Sequence, residues 1–256
     1  PKAIRVVEAQ TGKPVWQKKD DDTRHVLPTT LAVAEGRVFF QNERHLVCLD
    51  RDSGEVRWRA ERPVSLRRPA FSAPTLVVQD GVVLSADRSH RASAKMGGDG
   101  KDEKNGPRWL VSPTMISTKG ELIAFSAETG ERLWSAPCHE AFNSPVDVFV
   151  IDGKVFSGVT AGKGQPGITK VYDLHTGEVV DTRPPDQECF TVGFAHGRCY
   201  RNKATVNYVL HGRAGVEFVD VHSHDVAADH WVRGTCQYGI LACNGLLYAP
   251  PHSCAC

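Results

Sequence analysis

The fold class predicted for this chain is all-β: a β-propeller of four-stranded antiparallel blades. Three observations predict it. A glycine-centred unit recurs four times, and a glycine-turned hairpin recurs five times between its copies. Both recur with a spacing of about 45 residues; Gly12 and Gly54, for example, lie 42 apart. Two hairpins per period supply about four short strands. A lone four-stranded unit cannot cover both of its faces, and radial stacking of such units can.

The first unit occurs as residues 4–16, 46–58, 122–134 and 169–181, aligned without gaps on Gly12, Gly54, Gly130 and Gly177. Trp16, Trp58 and Trp134 follow their glycines by four residues, and Asp181 holds that position in the fourth copy. Asp50 and Asp173 precede their glycines by four, and Asp220 begins a degenerate fifth copy. A carboxylate there can accept hydrogen bonds from turn amides, and Thr11, Ser53, Thr129 and Thr176 can do so more weakly. Glycine supplies the left-handed backbone the turn needs. Each Trp is expected to bury its ring between neighbouring blades.

The second unit is an apolar run, a polar-Gly turn and another apolar run. Its copies cover residues 31–40, 76–84, 148–156, 192–200 and 240–248, turning at Gly36, Gly81, Gly153, Gly197 and Gly245. Asp-Gly and Asn-Gly between apolar runs are strong hairpin signals, because the tight turn demands positive φ. One interval is longer. Residues 87–108 are polar and glycine-rich and lack strand periodicity, so they are expected to form a surface-loop insertion.

Composition narrows the function. Lys and Arg number 31 against 30 Asp and Glu, so no general attraction to nucleic acid or anionic membranes is expected. No apolar run approaches the roughly 20 residues that span a bilayer. Eight cysteines, clustered toward the C-terminus, permit disulfides and suit an exported protein; the alternative is small buried thiols. His222, His224, His230, His252, Cys254 and Cys256 form a candidate zinc or copper set, since imidazole and thiolate suit those ions. The competing reading places His222 and His224 in the turn of the degenerate repeat. Phosphate-loop, hydrolase-elbow, zincin and haem-attachment motifs are absent.

The pattern of an apolar pair, Asp, two residues, Thr-Gly, three residues and Trp resembles the repeat of the pyrroloquinoline-quinone, or quinoprotein-like, β-propeller superfamily. The resemblance covers most of residues 4–181. That superfamily includes quinone-dependent alcohol and glucose dehydrogenases and a non-enzymatic lipoprotein that scaffolds outer-membrane β-barrel assembly. The C-terminal stretch, with Arg233 to Cys256 its longest part, resembles uncharacterised exported propeller proteins of planctomycete-type bacteria. The resemblance implies a bacterial, periplasmic or otherwise exported protein with a protein or cell-envelope partner. It admits pyrroloquinoline quinone with calcium as a cofactor, but the dehydrogenases' adjacent Cys-Cys pair and a recognisable acidic cluster are absent. Trp109 and Trp231 alone fall outside the repeat positions.

The expectation is therefore one propeller domain over residues 1–256, part of a longer chain, with about five blades. It is either a small closed ring, with residues 4–16 and 240–250 sharing a blade, or an arc of a seven- or eight-bladed propeller. A non-catalytic binding or scaffold role leads. A quinone- or metal-dependent oxidoreductase and a carbohydrate-binding module are the alternatives.

Overall fold

The computed structural model describes residues 2–66, 68, 72–88, 101–102, 106–107, 118–140, 145–158, 168–183, 200–212, 215–235 and 238–250. The chain opens with a two-stranded ribbon, β1 (Ile4–Val7) and β2 (Pro14–Lys18). A single helical turn, α1 (Asp21–Arg24), follows, capped by the Asp20 carboxylate. After it comes a 3₁₀ turn over Pro28–Thr30.

Among the described residues four complete blades succeed it, each with its strands in chain order and antiparallel. Blade 1 is β3 (Ala32–Ala34), β4 (Arg37–Gln41), β5 (His45–Asp50) and β6 (Val56–Glu61). Blade 2 begins with β7 (Thr75–Gln79) and β8 (Val82–Arg88). Two-residue strands β9 (Lys101–Asp102) and β10 (Gly106–Pro107) interrupt it before β11 (Thr118–Ser126) and β12 (Arg132–Glu140) complete it. Blade 3 is β13 (Asp147–Ile151), β14 (Lys154–Gly158), β15 (Lys170–Asp173) and β16 (Val179–Thr182). Blade 4 is β17 (Lys203–Ala204), β18 (Tyr208–His211), β19 (Val216–Asp220) and β20 (Val226–Asp229). A second ribbon, β21 (Leu241–Cys243) and β22 (Leu246–Tyr248), follows.

The hairpin turns behave as their chemistry dictates. Glu35, Asp80, Asp152 and Asn244 adopt positive φ beside Gly36, Gly81, Gly153 and Gly245. Two successive left-handed residues make the tight turn whose twist matches the strands. In the other unit the Asp50 carboxylate accepts from the Asp52 and Ser53 amides at 2.9 Å. Asp173 and Asp220 repeat this with the amides of residues 175 and 176 and of residues 222 and 223.

The sequence reading and the structure differ at three places. Strand β8 includes Asp87 and Arg88, which the sequence reading assigns to the insertion, and β9 and β10 lie within its span. The inner hairpin of blade 4 is built by residues 203–211, whereas the predicted copy turning at Gly197 lies mostly outside the described residues. No glycine marks that turn. The Thr205 hydroxyl accepts from the amides of Asn207 and Tyr208 instead. Finally, β1–β2 and β21–β22 remain separate sheets, so the shared-blade ring is not formed and the blades make an arc.

The core lies between blades. One cluster joins Phe39 and Trp58 of blade 1 to Val83 and Phe125 of blade 2. The next joins Leu122 and Trp134 of blade 2 to Val155 and Leu174 of blade 3. A third joins Phe156 and Val171 to Val209 and Val221. The first strands of blades 1 and 2, and of blades 2 and 3, also pack on one another, as the inner strands of adjacent blades do.

Candidate functional site

Three seams between sheets share one device. Trp16 of β2 lies over Gly54, Trp58 over Gly130, and Trp134 over Gly177. An added Cβ on any of these glycines would sit within 2.7 Å of the ring, so glycine is required for space as well as for its φ of +71° to +76°. Each indole N–H donates to a carbonyl of the next blade: Trp16 to Arg51 at 2.7 Å, Trp58 to Ala127 at 3.0 Å and Trp134 to Leu174 at 2.9 Å. Gly12, with φ +71°, turns the first ribbon with no ring above it.

The fourth seam is different. Asp181 stands at the Trp position and His224 at the glycine position, and His224 keeps the left-handed backbone at φ +68°. His224 Nε2 lies 2.8 Å from Asp181 Oδ2. Nearby, Arg183 Nη2 donates to the Asp220 carbonyl at 3.3 Å. A charged and polar latch thus replaces the aromatic one.

The glycine turns join first to second and third to fourth strands and so share one rim, and the opposite strand ends carry buried polar side chains. Both Arg68 guanidinium nitrogens Nη1 and Nη2 reach the Asp87 carboxylate, at 3.0 and 2.8 Å. Arg88 Nη1 lies 3.3 Å from Glu140 Oε2, with both side chains almost fully enclosed. Arg62 Nη2 donates to the Glu121 carbonyl at 2.8 Å. Burial pushes the Glu140 carboxyl above, and the Arg62 guanidinium below, their usual ranges. The Cys138 thiol is pushed up to about 12 and that of Cys48 to about 11, both by burial, so both stay protonated and unreactive at neutral pH. With Cys243 they are free thiols among the described residues.

Of the predicted metal set, His222 and His224 sit in the blade 4 turn, and His230 Nε2 lies 3.9 Å from Glu217 Oε1. His252, Cys254 and Cys256 fall outside the described residues. Among the described residues no three His, Cys, Asp or Glu side chains are placed to hold a metal ion. Among the described residues no helix is long and apolar enough to cross a membrane.

The concave surface sits at the axis. A groove of about 490 Å³ runs over the inner strands of blades 2, 3 and 4. Its floor is the five consecutive residues 148–152, and its walls are Val77 with Gln79 on one side and residues 204–206 on the other. Aliphatic side chains and polar groups share its surface, and Asp152 is the only charged residue of its lining. A pyrroloquinoline quinone site needs an aromatic platform and oxygen ligands for a cation. The groove has no tryptophan and one carboxylate; Trp16, Trp58 and Trp134 are held at the seams, Trp231 is fully exposed and Trp109 is outside the described residues. The described residues do not fit the quinone.

Comparisons with known proteins agree with this architecture. The sequence model of the family described as outer membrane protein assembly factor BamB matches residues 2–184. No curated protein matches the chain. Among solved structures, BamB from Moraxella catarrhalis is 12% identical, covers 96% of this chain and 73% of its own, and superposes with a TM-score of 0.45. A quinohemoprotein alcohol dehydrogenase from Pseudomonas putida HK5 is 11% identical with a TM-score of 0.54. That match covers 88% of this chain but only 38% of the dehydrogenase.

Proposed function

Because this chain belongs to the family of the outer membrane protein assembly factor BamB, we propose that it is a non-catalytic protein-binding propeller of the bacterial cell envelope, exported and docking its partner in the axial groove. The observation that carries this reading is the groove itself. It is concave and set on inner strands, its surface is shared about evenly between apolar side chains and polar groups, and its single ionisable lining residue, Asp152, gives no acid–base pair. Inner strands presenting a concavity that mixes apolar side chains with polar groups suit recognition of another chain. The assembly-factor role in the family's printed name supports a protein partner, and export follows the same likeness.

The rival oxidoreductase reading makes a different demand. Incubation with pyrroloquinoline quinone and calcium, followed by an optical spectrum and a dye-linked alcohol assay, separates the two. The expected result is no stoichiometric chromophore and no dye reduction. A bound chromophore with turnover would overturn the binding-domain reading.

A further inference from the structure

We propose that the axial groove captures an extended, aliphatic segment of a protein partner as an added strand along β13; this rests on the protein-binding reading above and names the form of the ligand. The lining pattern is the first reason. Successive side chains of a strand point to opposite faces. Five consecutive residues, 148–152, can therefore line one groove only if the groove runs along the edge of β13 rather than over a face. Strand β13 is a terminal strand of its sheet, pairing with β14 alone among the described residues.

Hairpin geometry then fixes which main-chain groups face the groove. Asp152 and Gly153 both have positive φ, at 49° and 69°, so they form a two-residue turn flanked by the Ile151–Lys154 pair. In such a hairpin the flanking pair is hydrogen-bonded, and alternation along an antiparallel ladder leaves every second residue aimed outward. Val148 and Val150 are those residues. Their N–H and C=O groups point at the axis.

Chemistry selects the occupant. The walls carry Val77 beside Gln79 on one side and Ala204 and Val206 around Thr205 on the other, so apolar side chains find aliphatic contacts on both. An acyl chain would fill the walls and leave the edge amides unpaired. An extended peptide meets both demands, its main chain pairing with residues 148 and 150 and its alternate side chains resting on the walls. Four residues of such a strand span about 13 Å at roughly 3.3 Å per residue. Asp152, at the turn end, selects a basic residue at that end of the peptide.

The test is selection of displayed twelve-residue random peptides on the purified protein. Binding of the selected peptides, made synthetically, is then measured by fluorescence anisotropy. Val206→Arg projects charge into the groove from an exposed wall position and leaves the core untouched. Val150→Pro removes one outward amide from an edge strand, where proline is tolerated. The expected peptides alternate β-branched residues and carry a Lys or Arg near one end. They bind Val206→Arg at least ten-fold more weakly. Methylation of their alternate amide nitrogens, which cannot perturb the protein's fold, weakens binding by a similar factor, as does Val150→Pro. Peptides that lose affinity for Val206→Arg but tolerate N-methylation at every amide would overturn strand addition and leave the groove as a docking site. Peptides indifferent to Val206→Arg, or a selection yielding none, would overturn both.

Discussion

Trp134 and Asp181 occupy equivalent positions on successive outer strands, and they close their seams by different physics. Trp134 stacks its indole on Gly177 and donates to the Leu174 carbonyl in a buried setting. Asp181 meets His224 at a half-exposed seam. The aromatic latch combines area burial with one enclosed hydrogen bond. The polar latch exchanges water for a solvated pair and gains little. Both partners differ together for a steric reason. A side chain at the glycine position leaves no room for an indole, and a glycine beneath an aspartate would give it nothing to bind. The latch between blades 3 and 4 is thus the weaker fastening, and those of Trp58 and Trp134 are the stronger.

The largest expected effect is from Trp134→Ala, which should destabilise the fold by about 3–5 kcal/mol in urea unfolding. Trp58→Ala should match it, since both rings are buried against the next blade. Unchanged midpoints for both variants would remove the distinction between seams. Gly177→Ala comes next. It combines a left-handed backbone with a Cβ 2.5 Å from the Trp134 ring, and should cost about 2–4 kcal/mol. His224→Ala, at the corresponding position of the weak seam, should cost less than about 1 kcal/mol.

A sharper form is the double exchange Asp181→Trp with His224→Gly, which rebuilds the aromatic latch. A double-mutant cycle should show favourable coupling of at least about 1 kcal/mol, the Trp alone being obstructed by the His224 Cβ. Additive effects would show that the seam's backbone spacing, not its side chains, makes it weak. The smallest effect concerns pH. Asp173 and Asp220 are held below the ordinary carboxylate range by turn amides, chiefly those of Thr176 and Ser223. Asp50 is lowered foremost by Arg57. A depressed carboxyl contributes stability above its unfolded pKa of about 4 and loses it as pH falls through the folded value. Melting temperature should therefore drop below about pH 4, and Asp173→Asn should shallow that drop. An acid limb identical in Asp173→Asn would show that the turn carboxylate is not part of it.

Much of this was legible in the chain because the signals are local. The Asp50 turn, the Asp152–Gly153 hairpin and the Gly–Trp spacing each lie within a dozen residues, and backbone sterics leave few alternatives for them. The reading stumbled at blade 4, where Thr205 replaces glycine chemistry by a hydroxyl that any loop could carry. Nor does the sequence reveal a role for Asp181 at the Trp position, since its partner His224 is 43 positions away.

Turn chemistry and repeat spacing were sufficient to specify strands, blades and three latches, because each depends on φ preferences and on side chains close along the backbone. The axial groove, the polar belt of Arg68–Asp87 and Arg88–Glu140, and the failure of the two ribbons to share a sheet were set by packing between distant segments. Those features depend on how far each twisted blade rotates against the next, a quantity that no single stretch of the sequence encodes.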